Sequence, residues 1–483
     1  MKVVLFGLNG SFSHSNLAIR RLRPFLETAG FSVILSEAGL RDGDASLLET
    51  LVFEDADVYG FSCYIWNINR MLALAKDLRS LRPDSLIIFG GPEVSYDTDR
   101  FNGCNFIDCI ITGAGESALV EVCSAFRDKN AIPRIKDGGE IGLSHGILYR
   151  HDEPVSSTLY YESAVGCPFS CSFCLSSASC GVTAKGLEQT LSELEEFESL
   201  NGQHTVKFVD RTFNFDKKRA NEIWKWLLSS KYTKRYQFEV CASLFDEETF
   251  EILKQFPVGK IQLEAGLQST NKKTLGTVAR HLDVEKTLSA CHKIMSFGNI
   301  HIHLDLIAGL PYEDYSSFAE SFNQAYHNCH QLQLGFLKLL HGTALRKDAD
   351  KYGYVFTCEP PYTVLQNNWM SYAELRRLDV ISDLLERFKN SRHFERTLEY
   401  ALQFAESPFA FYEGLADFIA KNDGRGIRKI AQNDAYALLF GFASSLSSID
   451  INCLDVLLHK DFAETEVRRV PHFKHTKSKE VKQ

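Results

Sequence analysis

The sequence predicts an α/β protein in three parts: a doubly wound parallel sheet, a second strand–helix repeat, and an all-helical end. Three observations carry this. Short β-prone apolar runs alternate with amphipathic helical runs through the first third of the chain. A second alternation follows, with six strand candidates of which the first five each precede a helix. From about residue 371 to 461, apolar residues recur at i, i+3 and i+4 without a strand signal. The 483 residues exceed one core, because single domains stop growing near ~250–300 residues. The composition suggests units at 1–135, 159–345 and 346–470, a linker at 136–158 and a basic tail at 471–483.

The first unit opens on a strand at 3–6. A helix fits 16–29, with Leu17, Ile19, Leu22 and Leu26 at helical spacing and Pro24 as a point where it kinks or stops. Strands at 31–35, 57–63, 85–89 and 108–112 follow, with helices after the third and fifth strands. The last three strands end in or beside Gly60, Gly90–Gly91 and Gly113–Gly115. Ligands bind at the carboxyl edge of such sheets, and glycine lets backbone approach a ligand closely. Tight strand–helix turns account for the same glycines equally well.

The second unit opens on YYESAVGCPFSCSFCLSS, residues 160–177. Cys167, Cys171 and Cys174 have the spacing C-x3-C-x2-C. Three thiolates so placed fit a [4Fe–4S] cluster with one iron left open. A zinc site with Cys180 as fourth ligand and inert buried cysteines are the alternatives. The further strands lie at 205–210, 237–241, 260–264, 301–307 and 332–337, with helices at 187–198, 219–229, 247–256, 284–295 and 315–328. Asp246 and Asp314 are N-caps for two of these helices. His301 and His303 alternate on one strand, which points to a polar interior more than to a second metal.

Composition narrows the function. Hydrophobic residues make up 45% and charged residues 24%, which excludes a mainly disordered chain, a collagen and a coiled coil. A formal charge of −9 disfavours a nucleic-acid partner, and the basic stretch at 468–482 reads as a solvated terminus. No apolar run reaches the ~18 residues of a membrane span. No signal-peptide pattern opens the chain, so a cytoplasmic protein is expected. Its 13 cysteines then read as thiols or metal ligands.

The cysteine loop after a short strand, with the repeat behind it, resembles the radical S-adenosylmethionine (SAM) superfamily. The glycine-edged first unit is similar to the cobalamin-binding domain ahead of some of its members. The C-terminal region resembles the uncharacterised helical part of one such subfamily. This resemblance implies a Rossmann-like cobalamin-binding domain, a partial (β/α)6 TIM-type barrel, and a [4Fe–4S] cluster, SAM and cobalamin as cofactors. It assigns the cluster to Cys167, Cys171 and Cys174. It places SAM against Asp210, for the amino group, and against Glu264, Gln268 and Ser269. Gly309 shapes a turn against the adenine. It lines the cobalamin slot with Ser62, Gly90, Gly91, Gly115 and Glu116.

The D-x-H-x-x-G motif that binds cobalt from below is missing; the loop reads NGSFSHSN, with His14 as a candidate ligand. Asp210–Arg211 also reads as a rim ion pair, Asp305 as a structural strand-end residue and His341 as a loop residue. The implied activity is reductive cleavage of SAM to a 5′-deoxyadenosyl radical, with methylation of an unactivated carbon. Radical cyclisation, oxidation or rearrangement without methyl transfer is one alternative, and a non-catalytic zinc or interaction protein is another. Expected partners are a small-molecule or peptide substrate and an electron donor such as flavodoxin or ferredoxin, with no membrane.

Overall fold

The computed structural model describes all residues except 12, 144–147, 152, 154–155, 179–180, 203, 230–233, 424–425 and 465–483. Cys180 and the basic tail at 471–483 therefore lie outside the described residues.

The first sheet has strands β1 (Lys2–Asn9), β2 (Ser32–Gly39), β3 (Val58–Ser62), β4 (Leu86–Gly90), β5 (Cys109–Thr112) and β6 (Ile135–Asp137). They are parallel, in the order β2-β1-β3-β4-β5-β6. The order reverses direction at β1, which puts a topological switch beside β3. Side chains alternate along β1. Val3 and Leu5 pack with Ile19, Leu26 and Leu119 on one face, and Val4, Phe6 and Leu8 pack with Leu51, Ile68 and Met71 on the other. Two helical layers on one sheet explain why these strands read as continuous apolar runs.

Some sequence expectations are corrected here. A helix, Asp44–Phe53, fills what the sequence leaves blank between the second and third strands. Its N-cap is Gly43, with no side-chain cap, so it lacks a start signal. Pro24 does not stop the first helix, which runs Leu17–Thr28 with Asn16 as its N-cap. The short β6 also goes unseen in the sequence.

The second sheet holds β7 (Thr158–Tyr161), β10 (Thr205–Phe208), β11 (Arg235–Val240), β12 (Ile261–Gln268), β13 (His301–Ala308) and β14 (Gln331–Phe336). All are parallel and paired in that order, and β7 does not pair with β14. This is a partial (β/α)6 barrel with an open side. Along β12 and β13, Leu263, Ala265, Ile302 and Leu304 are buried under the outer helices. Gln262, Glu264, His301, His303 and Asp305 take the other face. The strand expected at 160–165 ends early, at Tyr161. Residues beyond it form β8 (Ala164–Gly166), paired antiparallel with β9 (Val182–Ala184). That ribbon brackets the cysteine loop.

The C-terminal helices share one continuous core with the barrel. The helix Tyr372–Leu385 starts on a capping box between Ser371 and Glu374 and buries Leu375, Leu378, Ile381, Leu384 and Leu385. Just beyond it, Asn390 covers the free edge of β14. Its Oδ1 accepts from Leu332 N (3.1 Å) and its Nδ2 donates to Leu332 O (2.9 Å), as a neighbouring strand would. No helix among the described residues is long and apolar enough to cross a membrane.

Candidate active site

The two sheets meet carboxyl edge to carboxyl edge. After β4, Glu93 accepts from the Tyr362 hydroxyl (2.6 Å) and from Arg100 Nη2 (2.8 Å), and Arg100 also donates to Tyr362. Asp97 pairs with His341 (3.3 Å), which stacks edge-on against Tyr362. Arg21 bridges Glu116 (2.6 Å) and Glu162 (2.5 Å), one from each unit. His14 hydrogen-bonds the Tyr160 hydroxyl on β7. These contacts hold the glycine-edged loops over the barrel mouth.

At that mouth lies a cavity of about 240 Å³. Cys167, Cys171 and Cys174 form one wall. Glu239, Glu264, Gln268, Arg280 and Asp305 are among the residues of the others. The cysteine loop is fixed from three sides. Cys174 N donates to Cys171 O (3.0 Å), closing a turn, and Ser172 N donates to Val278 O (2.9 Å). Asp210, 1% exposed, accepts from Ser163 N (2.7 Å), Ala164 N (3.0 Å) and the Ser163 hydroxyl. Cys171 is buried, which raises its thiol pKa. Arg280, whose Nη1 stands 3.7 Å from Cys171 Sγ, pulls the other way.

Gln268 reaches the cavity through an unusual backbone. It sits at φ 69° beside a bulge in the β12–β13 pairing. A Cβ at Gly266 would lie 2.3 Å from Gln268 Nε2, so a larger residue there would push the Gln268 amide from its place. Arg280 donates to Gly266 O, which joins the bulge to the cysteine wall. Gln268 Oε1 and Arg280 Nε are buried without a hydrogen-bond partner among the described residues. Such orphaned groups in a cavity wall suit a polar ligand. Glu264 accepts from Lys207 Nζ (2.9 Å) and from Gln237. Burial, reinforced by Glu264 and Glu239, pushes the Asp305 carboxyl up to about 7. Deeper in the barrel, burial and then His301 push His303 down to about 4, which makes it a neutral imidazole at pH 7.

Several residues singled out from the sequence are not at the cavity. Asp210 clamps the cysteine loop, its oxygens taken up by Ser163 and Ala164. Ser269 is fully buried, donating to Glu313 Oε1 (2.5 Å). Gly309 O accepts from the Tyr354 hydroxyl (3.0 Å) and Asn367 Nδ2 (2.9 Å). Glu116 is taken up by Arg21. In the first sheet, Ser62, Gly90 and Gly91 do end β3 and β4 at the shared edge. Gly91, at φ 115°, would place a Cβ 2.5 Å from Cys63 O. Gly115 sits against Leu22 with ordinary negative φ.

Glu239 and Arg280 are the cavity residues that sequence reasoning missed. Glu239 has a period-two signal, since its neighbours Phe238 and Val240 are both buried. Cys180, the fourth ligand of the zinc alternative, lies outside the described residues. A larger open depression of about 490 Å³ lies among the C-terminal helices. Its charged side chains pair with one another, Arg376 with Asp379 and Arg428 with Asp383.

Family models match in chain order. The B12 binding domain covers residues 5–123, the radical SAM superfamily covers 161–325, and a protein family of unknown function, DUF4080, covers 350–483. The chain thus carries a region that matches the radical SAM superfamily behind one that matches the B12 binding domain. It is 22% identical over 285 residues to an uncharacterised methyltransferase of Pyrococcus horikoshii, covering 54% of this chain and 61% of that one. It is 26% identical over 307 residues to the cobalamin-dependent radical SAM methyltransferase TokK of Streptomyces tokunonensis, covering 55% and 44%. It thus spans less than two thirds of the length of these relatives. The fold is similar to that of the cobalamin-dependent SAM radical enzyme OxsB, solved with aqua-cobalamin and SAM bound. That match has a TM-score of 0.62 and 12% identity, over 96% of this chain and 84% of that one.

Proposed function

We propose that this chain is a radical SAM enzyme that uses cobalamin and methylates an unactivated carbon of a small molecule or peptide. The observation that carries the reading is the barrel-mouth cavity where three cysteines, an orphaned glutamine oxygen and an orphaned arginine nitrogen converge, with the first sheet joined to that mouth through Glu93–Tyr362 and Asp97–His341. The residues fit the groups they would hold. Cys167, Cys171 and Cys174 suit three corners of a [4Fe–4S] cluster. Gln268 and Arg280 offer an acceptor and a donor to the amino-acid end of SAM, and Glu239 and Glu264 offer acceptors to its hydroxyls. Ser62, Gly90 and Gly91 end β3 and β4 at the edge where cobalamin would sit. Bound there, these cofactors supply the electron for SAM cleavage and the carrier for a methyl group.

The protein's part is position and water exclusion. Asp210 and Val278 hold the cysteine loop, Arg280 ties that loop to the β12 bulge, and the Glu93–Arg100–Tyr362 contact keeps the upper sheet in place. This chemistry requires no protein nucleophile at the cavity, because the reacting groups are the cofactors'. The test is anaerobic reconstitution with ferrous iron and sulfide, then with hydroxocobalamin, followed by gel filtration. The expected result is about four irons per chain, a cobalamin spectrum that co-elutes, and 5′-deoxyadenosine formed on reduction. Protein that stays colourless and leaves SAM intact defeats the reading. Methylated product with S-adenosylhomocysteine separates methyl transfer from cyclisation, oxidation or rearrangement.

A further inference from the structure

Any electron bound for the cysteines must come from outside, and this chain's net charge of −9 repels an acidic donor. The surface beside the cysteine loop has the opposite character. The loop is exposed at Pro168 and Ser170 and half-buried at Ser172. Two short elements grip it. Ser172 N donates to Val278 O (2.9 Å), just past the helix Lys272–Thr277, and Ser172 O accepts from Leu345 N (2.9 Å) in the helix Ala344–Lys347.

Both elements carry exposed lysines: Lys272 and Lys273 on the first, Lys347 on the second, and Lys351 just beyond it. They form one face. Lys273 Nζ lies 4.0 Å over the Tyr312 ring, Tyr312 and Tyr352 rings are 6.3 Å apart, and Lys351 Nζ lies 4.9 Å over Tyr352. Several exposed lysines elsewhere on the barrel exterior are paired, Lys217 with Asp246 (3.1 Å), Lys225 with Glu248 (2.8 Å) and Lys293 with Glu247 (2.7 Å). On this face Lys272, Lys273 and Lys347 have no carboxylate within ion-pair distance among the described residues. Lys351 leans on Asp348 at 3.9 Å. Asp348 and Asp350 are exposed here and leave the face net positive.

We propose that Lys272, Lys273, Lys347 and Lys351 form the docking surface for a small acidic one-electron carrier protein, which passes its electron to the cysteine loop across Ser172. The argument is charge complementarity on an otherwise acidic chain, on the two elements that hold Ser172 of the cysteine loop. In the transfer the carrier is oxidised by one electron, the bound cluster is reduced by one, and no atom moves. The proposal rests on the function proposed above.

The test is the quadruple variant K272E/K273E/K347E/K351E of the full-length reconstituted protein, with Lys225→Glu as the control on a different face. Formation of 5′-deoxyadenosine is followed with dithionite and, separately, with subsaturating reduced flavodoxin. The expected result is a flavodoxin-driven rate lower by about tenfold or more, with its salt dependence reduced, and an unchanged dithionite-driven rate. Equal losses with both reductants overturn the proposal, because the lysines then support the loop itself. An unchanged flavodoxin rate with weakened binding to heparin also overturns it, in favour of a polyanion partner. Failure of dithionite-driven cleavage in the unsubstituted protein overturns the proposed function and this surface with it.

Discussion

The two parallel sheets of this chain expose their carboxyl edges to the same space but build them from opposite materials. The first sheet's edge is glycine and backbone: Gly91 at φ 115° and Gly113 at φ 67°, each with a carbonyl where a side chain would stand. The second sheet's edge is thiol and charge: the three cysteines, Glu239, Glu264, Arg280 and Asp305. The difference follows from how each sheet is covered. Helices on both faces of the first leave only its edge open, so a large ligand must approach backbone. The barrel's curved interior points polar side chains up into the mouth and can surround a compact ligand.

Removing one cysteine is the largest test of the barrel half. Cys167→Ala is expected to bring iron content and SAM cleavage to background while hydroxocobalamin still co-elutes, because the first sheet does not use that thiol. Loss of both together would show that the two edges are one folding unit. Arg280→Met is next. It keeps the bulk but removes the donor to Gly266 O and the guanidinium beside Cys171. Cleavage should fall roughly 10–100-fold, as for groups that orient a metal's ligands. The cluster's electron paramagnetic resonance signal should remain, and a lost signal would assign Arg280 to holding the loop instead.

Gly91→Ala tests the other half. Its strained φ and the contact with Cys63 O predict a cost of about 2–4 kcal/mol in the first domain. Cobalamin retention should drop, with iron content and dithionite-driven SAM cleavage preserved. A variant that keeps its cobalamin and loses iron would reverse the assignment of the two edges.

The sequence makes these halves unequally legible. Glycine after an apolar run is a local sign, so Gly90, Gly91 and Gly113 stand out unaided. The cysteine spacing is local too. Arg280 is not, because its place depends on the bulge at Gly266 and on the turn after Lys272–Thr277, neither of which periodicity shows. The partners of Asp210 are hidden for the same reason. At a strand end it looks free, but Ser163, 47 residues earlier, returns to occupy its oxygens. The helix Asp44–Phe53 escapes because Gly43 gives it no side-chain cap.

The smallest expected effect concerns Glu313, which lies behind the barrel edge and separates packing from chemistry. It is fully buried, accepts from the Ser269 and Ser321 hydroxyls, and its second oxygen has no partner. Burial pushes its carboxyl up to about 7 from an ordinary 4.5. The folded state therefore holds this proton more tightly than the unfolded chain does. Its stabilising contribution is complete below pH 4.5 and is lost as pH rises to about 7, by on the order of 3 kcal/mol. Glu313→Gln keeps an acceptor for both hydroxyls and cannot ionise. The difference in melting temperature between the variant and the unsubstituted protein should grow in the variant's favour from pH 5 to pH 8. Taking the difference cancels Asp305, which titrates in the same range in both proteins. A difference that stays flat with pH would mean that Glu313 ionises in place, with its orphan oxygen reaching water.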